Sequence, residues 1–319
     1  MLIYISIILL LIAVILVYFR IADRFNIIDK PNKRSSHSHV TIRGGGIIFP
    51  LAALLWFFLW GFHETIAIGG LILIAVISFV DDLNPISGLL RITVHIIAAS
   101  LLFYETGIFT LPWYFIALAY IAIVGWINAF NFMDGINAIT PFYSFIALGT
   151  FFFMNRELNF ARENLITILI IAVLIFSFFN ARKRAKTFAG DVGSVSLAFI
   201  LAWLMVLLML RTGNPAYIMF FVVYGIDSIY TIIHRLIRKE NIFVAHRFHL
   251  YQLLANELNW PHVLVAAVYA LIQLLLNIAI ITLNNHGLLT LQVFASILVI
   301  FSAAYILLRI NILIRIRRS

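Results

Sequence analysis

Long apolar runs broken by short polar interruptions follow one another along the whole chain, and this rhythm predicts membrane-spanning helices before any motif is read. Runs of about 18 apolar residues are long enough to cross a bilayer. Eleven spans are predicted, at 2–19, 44–62, 65–80, 91–105, 111–128, 138–154, 164–180, 192–210, 215–234, 262–283 and 288–308. The first run, Leu2 to Tyr18, has neither a basic leader nor a small-residue cleavage site and reads as a retained span. No linker, low-complexity tract or repeat divides the chain, so residues 1–319 are expected to form a single all-α, polytopic membrane domain.

Composition supports that class. The chain is 64% apolar and 11% charged, more apolar surface than a soluble core absorbs. The absence of cysteine excludes disulfides and thiol chemistry. The net charge of +9 takes its meaning from its distribution. With the N-terminus outside and the C-terminus cytoplasmic, only Arg156, Arg162 and Arg211 of the 22 lysines and arginines fall outside. That is the positive-inside pattern, with anionic-lipid contact as its natural partner. No soluble basic module exists to hold nucleic acid.

The polar interruptions carry the candidate chemistry, and this topology brings them to one face. Asp81 and Asp82, in SFVDDLNPIS, end the third span just before the turn signal Asn84-Pro85. Negative charge at a helix C-terminus opposes the macrodipole, so a capping role explains them poorly. One carboxylate could serve a metal while its neighbour serves a substrate. In NAFNFMDGIN, Asn131 and Asp134 are three apart and share a helix face, flanked by Asn128 and Asn137, with Gly135 ending the helix. An amide oxygen with a carboxylate suits magnesium better than zinc. Asp191, in AGDVGS, opens the eighth span, where the helix dipole favours its charge and Gly190 and Gly193 allow close approach by a ligand.

Two loops add cations. AHRFHLYQ offers His246, Arg247 and His249, with the arginine fork suited to phosphate oxygens. DKPNKRSSHSHVTIRGGG combines Lys33, Arg34 and Arg43 with three glycines whose amides could cradle an anion, although no P-loop spacing is present. Its basic residues are also explained as a positive-inside anchor. Asp227, inside the ninth span, is costly where it sits and calls for a basic or polar neighbour.

Taken in order, DKPNKRSSH, RGGG, DDLNPIS with Arg91, NAFNFMDGIN, GDVGS and HRFHLYQ resemble the polyprenyl-phosphate N-acetylhexosamine-1-phosphate transferases, the WecA/MraY type. The resemblance implies transfer of a sugar 1-phosphate from a UDP-N-acetylhexosamine to undecaprenyl phosphate, with release of UMP. The product would initiate a cell-surface polysaccharide such as O-antigen or capsule. It also implies a magnesium cofactor, with manganese able to substitute, a bacterial inner-membrane location with the active site on the cytoplasmic face, and a homodimer. Residue by residue, it makes Asp191 and Asn131 metal ligands and Asp81, Asp82 and Asp134 catalytic. Asn137 would bind the nucleotide, and Arg91, His246, Arg247 and His249 the diphosphate, with Asn128, Lys33 and Arg34 nearby.

Ala138, Ala198 and Leu89 depart from common family residues, and Tyr251 and Gln252 stand where many members have histidines. The HRFHLYQ form is similar to the WbpL-like branch, which implies a deoxy-amino sugar such as FucNAc or QuiNAc and argues against a MurNAc-pentapeptide donor. Three other readings are weighed beside this one, the blandest being a scaffolding or lipid-binding membrane protein. A secondary transporter would place its charges near the midplane on paired broken helices. A CDP-alcohol phosphotransferase would need further spaced aspartates and glycines after its DG, which this chain lacks.

Overall fold

A computed structural model of the chain describes residues 2–31, 36, 39–240 and 247–318, with side chains through 316. Lys33, Arg34 and His246 lie outside the described residues. Helices occupy all eleven positions anticipated from the apolar runs. They are α1 (Leu2–Arg24), α2 (Ile48–Leu59, entered through a 3₁₀ turn at Gly45–Ile47), α3 (Thr65–Leu83), α4 (Gly88–Thr106), α5 (Trp113–Met133), α6 (Ile139–Leu158), α7 (Glu163–Asn180) and α8 (Gly190–Thr212). After these come α9 (Val222–Ile237, preceded by a 3₁₀ segment at Pro215–Phe221), the short α10 (Leu250–Gln252), α11 (His262–Asn285) and α12 (Leu291–Arg318). Among the described residues, nine helical segments are long and apolar enough to cross a membrane. The other two of the eleven are the short Gly45–Leu59 segment and α6.

α6 is less apolar because one face hydrogen-bonds across the bundle. Tyr143 donates to Gln273 on α11 at 2.7 Å, and Asn277 on α11 donates to Thr150 at 2.9 Å. In hydrocarbon such groups must find partners inside the protein, and these do. The lipid-facing helices show the opposite pattern. Leu9, Leu16, Ile121 and Ile300 are exposed large apolar side chains on α1, α5 and α12, the surface expected of a multi-pass membrane protein.

α8 is the axis of the bundle. Beyond its first two turns it is apolar nearly all round, as a largely enclosed helix should be, and α2, α3, α5 and α6 pack around it. Its first turn therefore opens where several helices end. The helix ends run a few residues past the apolar runs, which puts Asp81, Asp82 and Asn131 in last turns. α3 stops because Asn84 is extended ahead of Pro85, and Ser87 then caps α4 by accepting from the Leu90 amide. Among the described residues, the one departure from helix lies at this same end. Strands β1 (Ile28–Asp29) and β2 (Thr41–Ile42) pair antiparallel, and Ile42 bridges to Thr187 ahead of α8.

Candidate active site

Three carboxylates and two guanidiniums meet at the first turn of α8. Asp82 Oδ1 accepts from Arg43 Nε at 2.6 Å and from the Asp191 amide at 2.8 Å. Asp82 Oδ2 accepts from the Val192 amide at 2.9 Å. Asp82 therefore caps α8 from another helix, satisfying amides that no residue of α8 itself can reach. Its side chain is fully enclosed. Arg91 Nη1 lies 3.0 Å from Asp81 Oδ2 and 3.8 Å from Asp191 Oδ2, while Arg43 Nη2 lies 3.8 Å from Asp191 Oδ1. Asp81 also accepts from the Ile86 amide at 2.8 Å. Asp191 is flanked by both arginines and keeps 19% of its side chain exposed.

The cluster carries one more carboxylate than guanidinium. Arg91 lies between Asp81 and Asp191, at 3.0 and 3.8 Å, so one guanidinium serves two carboxylates. Asn131 joins from α5, where its Oδ1 accepts from the Ser194 hydroxyl at 2.5 Å, one turn beyond Asp191. These are hard oxygen donors of the kind a magnesium ion takes. Among the described residues no three His, Cys, Asp or Glu side chains form a metal-holding group. An ion held by Asp191 and Asn131 would have to complete its shell with water and phosphate oxygens.

Asp134 sits in the turn after α5 and accepts from the Thr140 hydroxyl. Burial pushes its carboxyl up to about 6, with the Thr140 hydrogen bond opposing the rise and the charge of Asp82 adding to it. Gly135 beside it is required sterically, since a Cβ there would meet the Tyr251 ring and hydroxyl. That hydroxyl donates to the Phe132 carbonyl at 2.9 Å and ties the HRFHLYQ segment to the DG turn. Ala138, where a glycine is common in the resembling family, holds a left-handed φ of 71°. Its amide is anchored by Asn180 Oδ1 at 2.7 Å.

The other candidates are placed as follows. Asn137 is buried and donates to the Arg182 carbonyl at 2.8 Å, joining the DG turn to the basic loop before α8. Asn128 bonds back to the Val124 carbonyl of its own helix, one turn below Asn131, and does not join the cluster. Arg247 is half-buried at the start of its segment. His249 is enclosed, with Nδ1 3.2 Å from Asp227 Oδ1.

The RGGG stretch corrects the sequence reading. The Gly45 and Gly46 amides donate to the carbonyls of Phe188 and Ala189 at 2.9 and 3.0 Å, so they are not arranged as an anion cradle. The glycines permit a backbone crossing instead, with a Cβ on Gly46 falling 2.4 Å from Gly193 Cα. Gly190, with φ +70°, has Gly44 and Asp82 in the space a side chain would need. The sequence offered Arg43 both as part of an anion-binding loop and as a topology anchor, and it gave no signal for Ser194 or Thr140. Its position next to the glycines was the only available signal for Arg43.

Comparison with known proteins points the same way. Residues 65–209 match the profile of glycosyl transferase family 4. The chain is 30% identical over 255 residues to a phospho-N-acetylmuramoyl-pentapeptide-transferase of Thermotoga neapolitana, covering 72% of this chain and 80% of that protein. It is 26% identical over 290 residues to a Bacillus subtilis protein named "Probable undecaprenyl-phosphate N-acetylglucosaminyl 1-phosphate transferase", covering 83% and 80%. It is 27% identical over 264 residues to the undecaprenyl-phosphate alpha-N-acetylglucosaminyl 1-phosphate transferase of Salmonella typhi, covering 73% and 70%.

Proposed function

Because the chain belongs to glycosyl transferase family 4, we propose that it transfers an N-acetylhexosamine 1-phosphate, of the GlcNAc, FucNAc or QuiNAc type, from a UDP-sugar to undecaprenyl phosphate. An oxygen of the lipid phosphate attacks the sugar-bearing phosphorus. The phosphoanhydride bond to the uridylate phosphate breaks, and UMP leaves. The observation that carries this reading is the gathering of Asp81, Asp82 and Asp191 around Arg43 and Arg91 at one end of the bundle. A lipid phosphate can reach that end from the bilayer while a nucleotide sugar arrives from the cytoplasm of a bacterial cell. A transporter site would sit nearer the midplane.

The main obstacle is electrostatic, because an anionic acceptor must meet an anionic diphosphate. A phosphomonoester has a second pKa of about 6, so the acceptor is largely ionised at neutral pH and needs little help from a base. Magnesium held by Asp191, Asn131 and Asp81 would neutralise phosphate charge when bound. Arg43 and Arg91 are fixed by Asp82 and Asp81 with donor capacity left for phosphate oxygens. Asp82 offers no accessible oxygen for a covalent phosphoryl intermediate, since protein donors engage both, which leaves direct in-line attack and a phosphoryl-enzyme on Asp134 as the two routes.

The test is UMP release by detergent-purified protein given undecaprenyl phosphate, magnesium and each of UDP-GlcNAc, UDP-FucNAc and UDP-QuiNAc. Lipid-dependent release with at least one donor, abolished by chelation, is expected. Folded protein that releases no UMP with any donor would sink the reading. A second expectation concerns Asp134. The pH profile of kcat/KM should fall on its acidic side near pH 6, where this carboxyl takes up a proton. Thr140→Val removes a hydrogen bond that favours the charged form, so the fall should move upward by about one pH unit. An unmoved limb would mean that another group titrates.

A further inference from the structure

Asp227 is fully buried on α9, and five donors surround its carboxylate. Oδ2 accepts from the Tyr269 hydroxyl of α11 at 2.6 Å. Oδ1 faces the Tyr305 hydroxyl of α12 at 2.9 Å, the Leu250 amide at 3.0 Å, His249 Nδ1 at 3.2 Å and the Thr231 hydroxyl at 3.3 Å. Against a carboxylate, the Nδ1 of the histidine carries the proton. Arg309 Nη1 reaches both Thr231 and Tyr305, at 2.8 and 2.9 Å, so a guanidinium lies one hydroxyl away along two routes. The charge that looked costly in the sequence is thus met by hydrogen bonds within the bundle.

The direction of this network matters. Two of the five donors, His249 and Leu250, belong to the HRFHLYQ segment that opens α10. One residue further on, Tyr251 bonds the Phe132 carbonyl beside the DG turn. The segment is therefore held on one side by Asp227 and on the other by the turn that carries Asp134. Arg247 is two residues from the His249 anchor, so its placement depends on where that anchor lies.

We propose that Asp227 is a positioning residue of the transfer reaction, docking residues 247–252 against the DG turn so that Arg247 is held ready for the donor diphosphate. The inference rests on the transferase reading given above. A residue that orients a ligand-binding group from behind typically contributes about 10- to 100-fold when removed. A role in folding alone would lower the active fraction and leave both KM values unchanged. A positioning role separates them.

The test uses full-length protein in nanodiscs, with Asp227→Asn as the near-isosteric change and Tyr305→Phe as a milder one that keeps the carboxylate. KM for the UDP-sugar should rise about tenfold or more in Asp227→Asn and less in Tyr305→Phe, with KM for undecaprenyl phosphate unchanged. Amide exchange of residues 247–257 should quicken while α8 keeps its protection. Unchanged donor KM in folded Asp227→Asn, or unchanged exchange over 247–257, would overturn the proposal. If wild type releases no UMP with any donor, the transferase reading fails. The exchange arm then still decides the docking role by itself, with quickened exchange supporting it and unchanged exchange overturning it.

Discussion

Asp191→Asn is expected to fold as wild type does and to lose at least about a thousandfold in UMP release, the scale associated with removing a central electrostatic group. Asp191 contacts its arginines only at 3.8 Å and is partly exposed, so loss of its charge strands no backbone donor. Asp82→Asn should behave differently although the change is chemically identical. Asp82 uses one oxygen for Arg43 and the Asp191 amide and the other for the Val192 amide. An asparagine has a single acceptor oxygen, so its NH₂ must face an N–H or a guanidinium inside the protein. Breaking a buried, hydrogen-bonded charge pair costs about 3–5 kcal/mol. Asp82→Asn should therefore lose activity together with several degrees of melting temperature, while Asp191→Asn loses activity alone. Thermal unfolding beside UMP release per folded molecule distinguishes them. Equal melting temperatures for the two variants would contradict the placement of Asp82 as the cap of α8.

The second large effect is structural. Gly46→Ala is expected to yield little or no folded protein. Its Cβ would lie 2.4 Å from Gly193 Cα and 2.8 Å from the Ala189 carbonyl oxygen, and both obstacles are backbone. Relief requires moving the start of α2 away from the start of α8, which would also break the Gly46 to Ala189 hydrogen bond. Overpacking of this kind costs about 3 kcal/mol or more. Gly125→Ala and Gly149→Ala are the controls, because nothing lies within 4 Å of either added Cβ. In helix interiors they should be neutral or stabilising, by about 0.5–1 kcal/mol. Size-exclusion profiles of the detergent extracts check all three. A monodisperse Gly46→Ala peak at wild-type yield would refute the close crossing.

Both effects concern residues whose importance the sequence indicated without indicating its cause. Apolar run length alone placed helices at all eleven positions, because the cost of exposing backbone to hydrocarbon acts locally and leaves the chain few options. The alternation of the spans also brought DD, NxxD and GD to one end of the bundle. The division of labour inside the cluster was not legible. Asp81 and Asp82 are adjacent and identical in type, yet the first pairs with Arg91 and the second caps α8. The glycines of RGGG suggested an anion cradle and prove to be a crossing point. Asp227 was recognisable as costly, but its donors on α11 and α12 were not.

Run length and charge asymmetry were enough to set the class of the protein, the positions of its helices and the polar stretches that share an end. Which carboxylate is engaged, which is partly open and which amides are already satisfied follow from long-range packing. Those partnerships join residues 39, 109 and 110 positions apart, and no local pattern encodes contacts of that separation.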